Sequence, residues 1–302
     1  MGRLENEFSW SWTRHGVFQE CKRRYWLQYY GSWGGWERDA DERVRTLYIQ
    51  KNLTTPAMWL GTCVHEGAEW ALGELQRGRF PSEEQVARRV LGKARRDIAD
   101  SREGAYIQAP KRRCGFAGHY YGESGFEDGW DETLSEMERQ VGNLFTNPIY
   151  ARITHVPDRI REVEKFHRFP YRGVPVWAVM DVLMADGRGG LVIIDWKTGK
   201  SHDPEGVKRQ LGVYGIYAEQ VLKVGPASLR TVHVDLRENE FHTHEVTREH
   251  LDETGELLVE SAAEMRALTS GANVAEEESF PKLEEGHWRC RRCNFRRDCG
   301  RE

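Results

Sequence analysis

The sequence predicts an α/β protein with a central mixed β-sheet flanked by helices. Three observations point there. Two β-branched, apolar runs, Val176 to Met184 and Leu191 to Lys197, bracket the glycine-rich turn Ala-Asp-Gly-Arg-Gly-Gly. A second strand pair, Leu229 to Leu236 and Phe241 to Val246, follows a helix opened by Asp203-Pro204. Residues 62 to 147, by contrast, repeat their apolar positions mostly at helical spacing.

A chain of 302 residues is long enough for one elaborated domain with a sizeable core. The expected division is 1–61 as an N-terminal segment, 62–147 as a helical insertion, 148–269 as the core and 270–302 as a linker and tail. The net charge of −4 excludes a generally basic coat, so nucleic-acid contact has to come from local patches and a metal. No apolar run approaches the ~20 residues that span a bilayer, and Met1 to Glu7 is polar. A cytoplasmic protein without membrane contact is expected. In that compartment the six cysteines are metal ligands or free thiols rather than disulfides. No Gly-x-x-x-x-Gly-Lys-Ser/Thr occurs, so any helicase partner is a separate chain.

In chain order, Ser9 or Ser11 caps a helix carrying Trp12, Val17, Phe18, Cys21, Tyr25 and Trp26 and stopping near Tyr30. Thr62 to Arg77 is a helix with Val64, Ala68, Ala71, Leu72 and Leu75 as its apolar stripe and His65 beside it. Ser82 to Gln85 is a capping box opening a helix to about Asp100. Its arginines and Lys93 form a solvated face or a phosphate-tracking surface. Ser101 to Gly129, glycine-rich with Lys111-Arg112-Arg113, is expected to be a long loop or lid, with Cys114 as a free thiol. A helix from Trp130 to Phe145 ends before Pro148, and Val163 to Phe169 begins the sheet. Glu164 there is a surface acid or a member of the site. The helix from Pro204 to about Val224 buries Val207, Leu211, Tyr214, Ala218 and Val221, with Gln210 and Tyr214 on one face. Arg248 to Leu268 is a further amphipathic helix, and Ser270 to Gly286 is acidic and proline-bearing, hence a linker.

The first hairpin carries the chemistry. With its turn centred near Arg188, Asp181 and Asp195 face each other, Cβ atoms roughly 4.5–5.5 Å apart. Lys197 shares their face and Trp196 points away. Two acids so close need a cation, and Mg²⁺ or Mn²⁺ fits carboxylates plus phosphate oxygens. Lys197 is placed to orient a water or steady a phosphate. The plain alternative is a hairpin with a solvated salt bridge. The tail, Cys290-Arg-Arg-Cys293-Asn-Phe-Arg-Arg-Asp-Cys299, holds three cysteines at metal-binding spacing, one short of a tetrahedral set. Zinc and iron–sulfur both suit four cysteines.

These motifs together resemble the PD-(D/E)XK nuclease superfamily, in its RecB-like branch with the CRISPR-adaptation and AddB-type nucleases. The resemblance rests on Asp181 before Asp195-Trp196-Lys197-Thr198-Gly199, Gln210 and Tyr214 on the next helix, Gly61-Thr62-Cys63-Val64-His65, and an early Cys21 paired with the late cysteines. One departure is Ala178, where relatives often carry glycine. The resemblance implies a restriction-endonuclease-like fold with His65, Asp181, Asp195 and the Trp196 backbone carbonyl as metal ligands. It implies that Gln210 and Tyr214 place the DNA strand. It further implies a [4Fe–4S] cluster on Cys21, Cys290, Cys293 and Cys299, stapling the chain ends, with zinc as the alternative. The expected activity is a Mg²⁺- or Mn²⁺-dependent deoxyribonuclease, an exonuclease on single-stranded DNA or DNA ends. A non-cleaving DNA-binding or scaffold subunit of a helicase–nuclease or adaptation complex is the competing reading.

Overall fold

The structure is a computed structural model that describes residues 4–199, 203–269 and 275–301. Five strands make one mixed sheet in the order β1-β2-β3-β4-β5: Ile160–Tyr171, Val174–Ala185, Leu191–Lys197, Leu229–Asp235 and Glu240–Glu245. Of these five strands, only β3 and β4 pair in parallel. Parallel strands need a crossover, and the helix Pro204–Gln220 supplies it. The expected α/β class and mixed sheet are thus what the chain adopts.

Twelve α-helices stand among the described residues: α1 (Trp12–Glu20), α2 (Lys22–Trp26), α3 (Glu42–Lys51), α4 (Pro56–Gln76), α5 (Glu83–Arg102), α6 (Ala105–Gln108), α7 (Ala117–Tyr121), α8 (Trp130–Thr146), α9 (Pro148–His155), α10 (Pro204–Gln220), α11 (Arg248–Ala267) and α12 (Trp288–Arg291). Alternation along the strands divides the core in two. Val182, Met184, Ile194 and Trp196 face a layer of α4, α5 and α8. Leu183 and Ile193 face α10 and α11 instead. Asp181, Asp195 and Lys197, an even number of residues from Leu183 or Ile193, therefore belong to the α10 side.

Several expectations need correction. The first helix is not continuous: Cys21 is extended (φ −164°, ψ 115°) and its Sγ accepts the Arg24 N–H at 3.4 Å, so it caps α2. A five-residue π-helical turn, Leu27–Gly31, follows. The helix α3 was not anticipated, and α4 begins at Pro56, six residues before Thr62, with Thr55 as its cap. Thr-Thr-Pro is a cap and first-turn signal. Residues 101–129 are not a lid. Phe116 is fully buried against Trp59 and Trp130, and Thr54 bridges to it through the backbone. Aromatic burial rather than helical periodicity fixes this stretch. The helix α10 stops at Gln220, leaving Val221 exposed.

The expected linker is packed from residue 275 on; residues 270–274 lie outside the described residues. Phe280 is fully buried beside Tyr25, and Glu277 pairs with Arg23 and Arg43. Acidic composition suggested solvation, but Glu277 has specific arginine partners.

Candidate active site

The register centres the β2–β3 hairpin where the sequence placed it. Val182 pairs with Ile194 and Ala185 with Leu191, so Asp181 and Asp195 come next, just past the last paired residues. There the ladder gives way to a side chain. Asp181 Oδ2 accepts the Trp196 N–H at 2.7 Å, which pins its carboxylate against the opposite strand. Both aspartates are buried.

The adjoining strands add a third acid. The β1–β2 turn is Arg172-Gly173, both with positive φ (44° and 79°), as two-residue hairpin turns require. Val163 pairs with Val182 and Lys165 with Met180, which puts Glu164 directly opposite Asp181. Glu164 has φ 48°, a left-handed conformation uncommon for a non-glycine residue and strained by roughly 1–3 kcal/mol. From there its Oε1 reaches His65 Nδ1 at 3.2 Å, and the same nitrogen lies 3.6 Å from Asp181 Oδ2.

His65 arrives from α4, and Gly61 sets how closely. A Cβ at position 61 would stand 2.7 Å from Thr198 Oγ1, so only glycine lets α4 lie against the end of β3 without a shift. Burial alone would lower the His65 pKa. The Glu164 hydrogen bond and the charges of Asp181, Glu164 and Asp195 outweigh it and raise it to about 9. Asp181 is pushed up by burial and by Asp195, against the pull of His65. Protonated, His65 is the local counter-charge to the crowded carboxylates, and as a metal ligand it gives the proton up.

On the α10 side, Lys197 Nζ lies 2.7 Å from Asp195 Oδ2 and donates to Gln210 Oε1 at 2.9 Å. Gln210 Nε2 reaches Tyr214 Oη at 2.7 Å and Asp195 Oδ1 at 3.4 Å. Tyr214 is buried, and burial, with Asp195 next, raises its pKa well above that of a free phenol. It remains a neutral hydroxyl. Trp196 sends its indole into the opposite, helical layer. The predicted residues His65, Asp181, Asp195, Lys197, Gln210 and Tyr214 all line one cavity of about 430 Å³, together with Glu164.

The ligand atoms of His65, Glu164 and Asp181 lie within 4.8 Å of one another. Imidazole plus carboxylates is a donor set for a divalent ion. Asp195 Oδ2, buried and paired with Lys197 Nζ at 2.7 Å, keeps a further lone pair nearby. These groups fit a divalent cation. Glu164, which the sequence left undecided, belongs among them. Counting equal steps back from Arg172-Gly173 would have found it. Glu164→Gln is expected to weaken Mn²⁺ binding about 10- to 100-fold, the scale of losing a partner of a metal site. Calorimetric titration reads this directly, and an unchanged Kd would remove Glu164 from the ligand set.

In a separate cavity of about 210 Å³, Cys21, Cys290, Cys293 and Cys299 stand together in the lining. All four are free thiols. Burial raises the Cys293 thiol to about 11, with the Cys21 and Cys299 charges adding to it. Arg24, Arg292, Arg296, Arg301 and Lys282 surround them. Cys63 and Cys114 lie elsewhere, both pushed up to about 12 by burial.

The sheet, the paired aspartates and the following lysine define a class, the nucleases built on this hairpin. The chain belongs to the PD-(D/E)XK nuclease superfamily, which it matches over residues 9–300. Two solved structures share weaker overall likeness. One is the protein SSO0001 (14% identity, 61% of this chain and 78% of that chain, TM-score 0.31). The other is a candidate exonuclease from Eubacterium rectale (13% identity, 67% of this chain and 80% of that chain, TM-score 0.33). No curated protein matches the sequence. No helix among the described residues is long and apolar enough to cross a membrane.

Proposed function

We propose that the protein is a Mg²⁺- or Mn²⁺-dependent deoxyribonuclease, acting as an exonuclease on single-stranded DNA or DNA ends. The observation that carries this reading is the convergence of His65, Glu164 and Asp181 on one point, beside Asp195 and Lys197. His65, Glu164, Asp181 and Asp195 would hold the ion, with the Trp196 carbonyl as a further donor. The ion supplies Lewis acidity toward the scissile phosphate and a more acidic water.

The chain's own groups do the rest. Lys197 presents an ammonium to the cavity, where it stabilises charge on a phosphate oxygen or hands a proton to one. Gln210 fixes that ammonium through Oε1 and holds Tyr214 and Asp195 through Nε2, so the lysine cannot swing away. Asp195 balances the lysine charge. Glu164 and Asp181 keep His65 oriented by its Nδ1.

The four-cysteine cavity supports a [4Fe–4S] cluster, with zinc as the alternative. The thiols must lose their protons to bind either, and the surrounding cations favour that loss. Its role is structural. The test of the enzyme reading is digestion of end-labelled single-stranded DNA by anaerobically purified protein with Mn²⁺, alongside an RNA of the same sequence. Ladder-wise shortening of the DNA is expected. No digestion would favour the non-cleaving scaffold, and faster loss of the RNA would make the enzyme a ribonuclease.

A further inference from the structure

A groove of about 870 Å³ runs beside the catalytic cavity and shares Ser11 and Trp177 with its lining. Its walls are unusual for a chain of net charge −4. Among the described residues lining it, five are basic and none is acidic. Arg14 and Lys51 both stand by the Tyr29 ring. Arg14 is buried with its guanidinium 4.4 Å from the Tyr29 ring centre and 5.3 Å from that of Trp177. Lys51 Nζ lies 5.5 Å from the centre of the same Tyr29 ring. Among the described residues neither cation has a carboxylate at ion-pair distance. Burial, then repulsion from Arg14 and Lys111, pushes Lys51 down to about 8. Such a site gains by taking up an anion.

The same walls are aromatic. Tyr29, Trp33, Trp36 and Trp177 line the groove, and none of the four rings is fully buried. The buried Trp177 Nε1 has no acceptor among the described residues. Trp177 packs edge-on against Phe166, which is 53% exposed and lines the catalytic cavity. Aromatic rings therefore stand both along the groove and at its junction with the acidic site, where Trp177 lines both cavities.

Cations without acids call for an anionic partner, and accessible aromatic rings beside them call for flat, unpaired bases. Backbone-tracking charge interleaved with stacking rings is the chemistry of single-strand binding. A duplex keeps its bases stacked on each other and offers these rings nothing. Resting on the nuclease reading above, we propose that this groove is the track that feeds single-stranded DNA to the catalytic cavity. Bases stack on Tyr29, Trp33 and Trp177, and phosphates face Arg14, Lys51 and the Lys111-Arg112 tip.

The test is fluorescence anisotropy of a fluorescein-labelled oligothymidylate against the full chain, with a chelator present so that cleavage does not enter. Trp33→Ala is expected to weaken binding about 5- to 100-fold, the range for losing one stacked base. Trp33→Phe keeps a ring and is expected to restore most of the affinity. The exposed pair Lys111→Ala with Arg112→Ala is expected to weaken binding and to flatten its salt dependence by about 0.7 unit of slope per lost phosphate contact. Melting curves confirm that each variant is folded. A blunt duplex is expected to bind Trp33→Ala and wild type alike.

Unchanged single-strand binding by Trp33→Ala and by the tip pair would overturn the track. So would parallel losses for single strand and duplex, or tighter wild-type binding of the matching RNA. The Mn²⁺ digestion is a separate readout. Variant-specific loss of binding with a wild type that does not cleave would keep the track and remove the nuclease reading. Cleavage with unmoved binding would do the reverse.

Discussion

Asp181→Asn is expected to lower Mn²⁺-dependent cleavage by about 10³-fold or more without lowering the melting temperature measured in chelator. The activity loss follows from position. Asp181 is the acid that both touches His65 and stands opposite Glu164, so its charge is shared by the whole ligand group. Removing a group that stabilises charge in the transition state costs about 10²–10³ in rate, and losing a metal ligand also costs occupancy. The stability follows from the same geometry. Asparagine keeps an oxygen for the Trp196 N–H and removes one of two buried carboxylates that repel each other. A residue whose loss silences the enzyme while the apo fold holds is serving the reaction. A collapse of the melting temperature, or cleavage within tenfold of wild type (about 1.4 kcal/mol in barrier), would end the assignment. Lys197→Met tests the other half: it leaves the His65–Glu164–Asp181 group intact, so Mn²⁺ affinity is expected to stay while turnover falls about 10²-fold.

The hairpin was legible because its signals are local. A glycine-rich turn fixes register, register fixes which side chains meet, and period two fixes the face. That is why Asp181, Asp195 and Lys197 stand where counting put them, with Gln210 and Tyr214 four residues apart above them. His65 was legible only by resemblance, because what brings α4 to β3 is the missing side chain of Gly61, a tertiary fact. Glu164 was undecided because its role depends on pairing with β2 and on a left-handed kink that no propensity favours. The loop at 101–129 was misread for a related reason. Phe116 and Tyr106 are buried by partners far along the chain, and short helices of four or five residues carry no period to detect. The break at Cys21 likewise contradicts an aromatic pattern that runs straight through it; the cysteine's extended backbone and its Arg24 cap decide the matter.

The second large effect expected is at the opposite end of the chain, where Cys293→Ser should remove the visible absorbance and bound iron and lower the melting temperature by roughly 10 °C. A link between Cys21 and the tail closes a loop of almost the whole chain, and such a closure is worth on the order of 5 kcal/mol. For a domain of this size that corresponds to about 2 °C per kcal/mol. The loss should stop short of unfolding, because the tail has other anchors. Phe295 packs with Leu27 and Leu47, Asn294 bonds to the Leu53 carbonyl and Gln50 to Asp298. Those anchors also say which property suffers first. The tail clamps α2, the π-helical turn and α3, the elements that carry Tyr29 and Lys51 into the basic groove, whereas His65 and the aspartates rest on α4 and the sheet. Loosening the clamp should therefore weaken single-strand binding more than it slows turnover at saturating DNA. Cys114→Ser, outside the four-cysteine cavity, is the matched control and should change neither metal content nor binding. Zinc in place of iron in the wild type would replace the cluster but keep the clamp. Wild-type melting and iron content in Cys293→Ser would remove both.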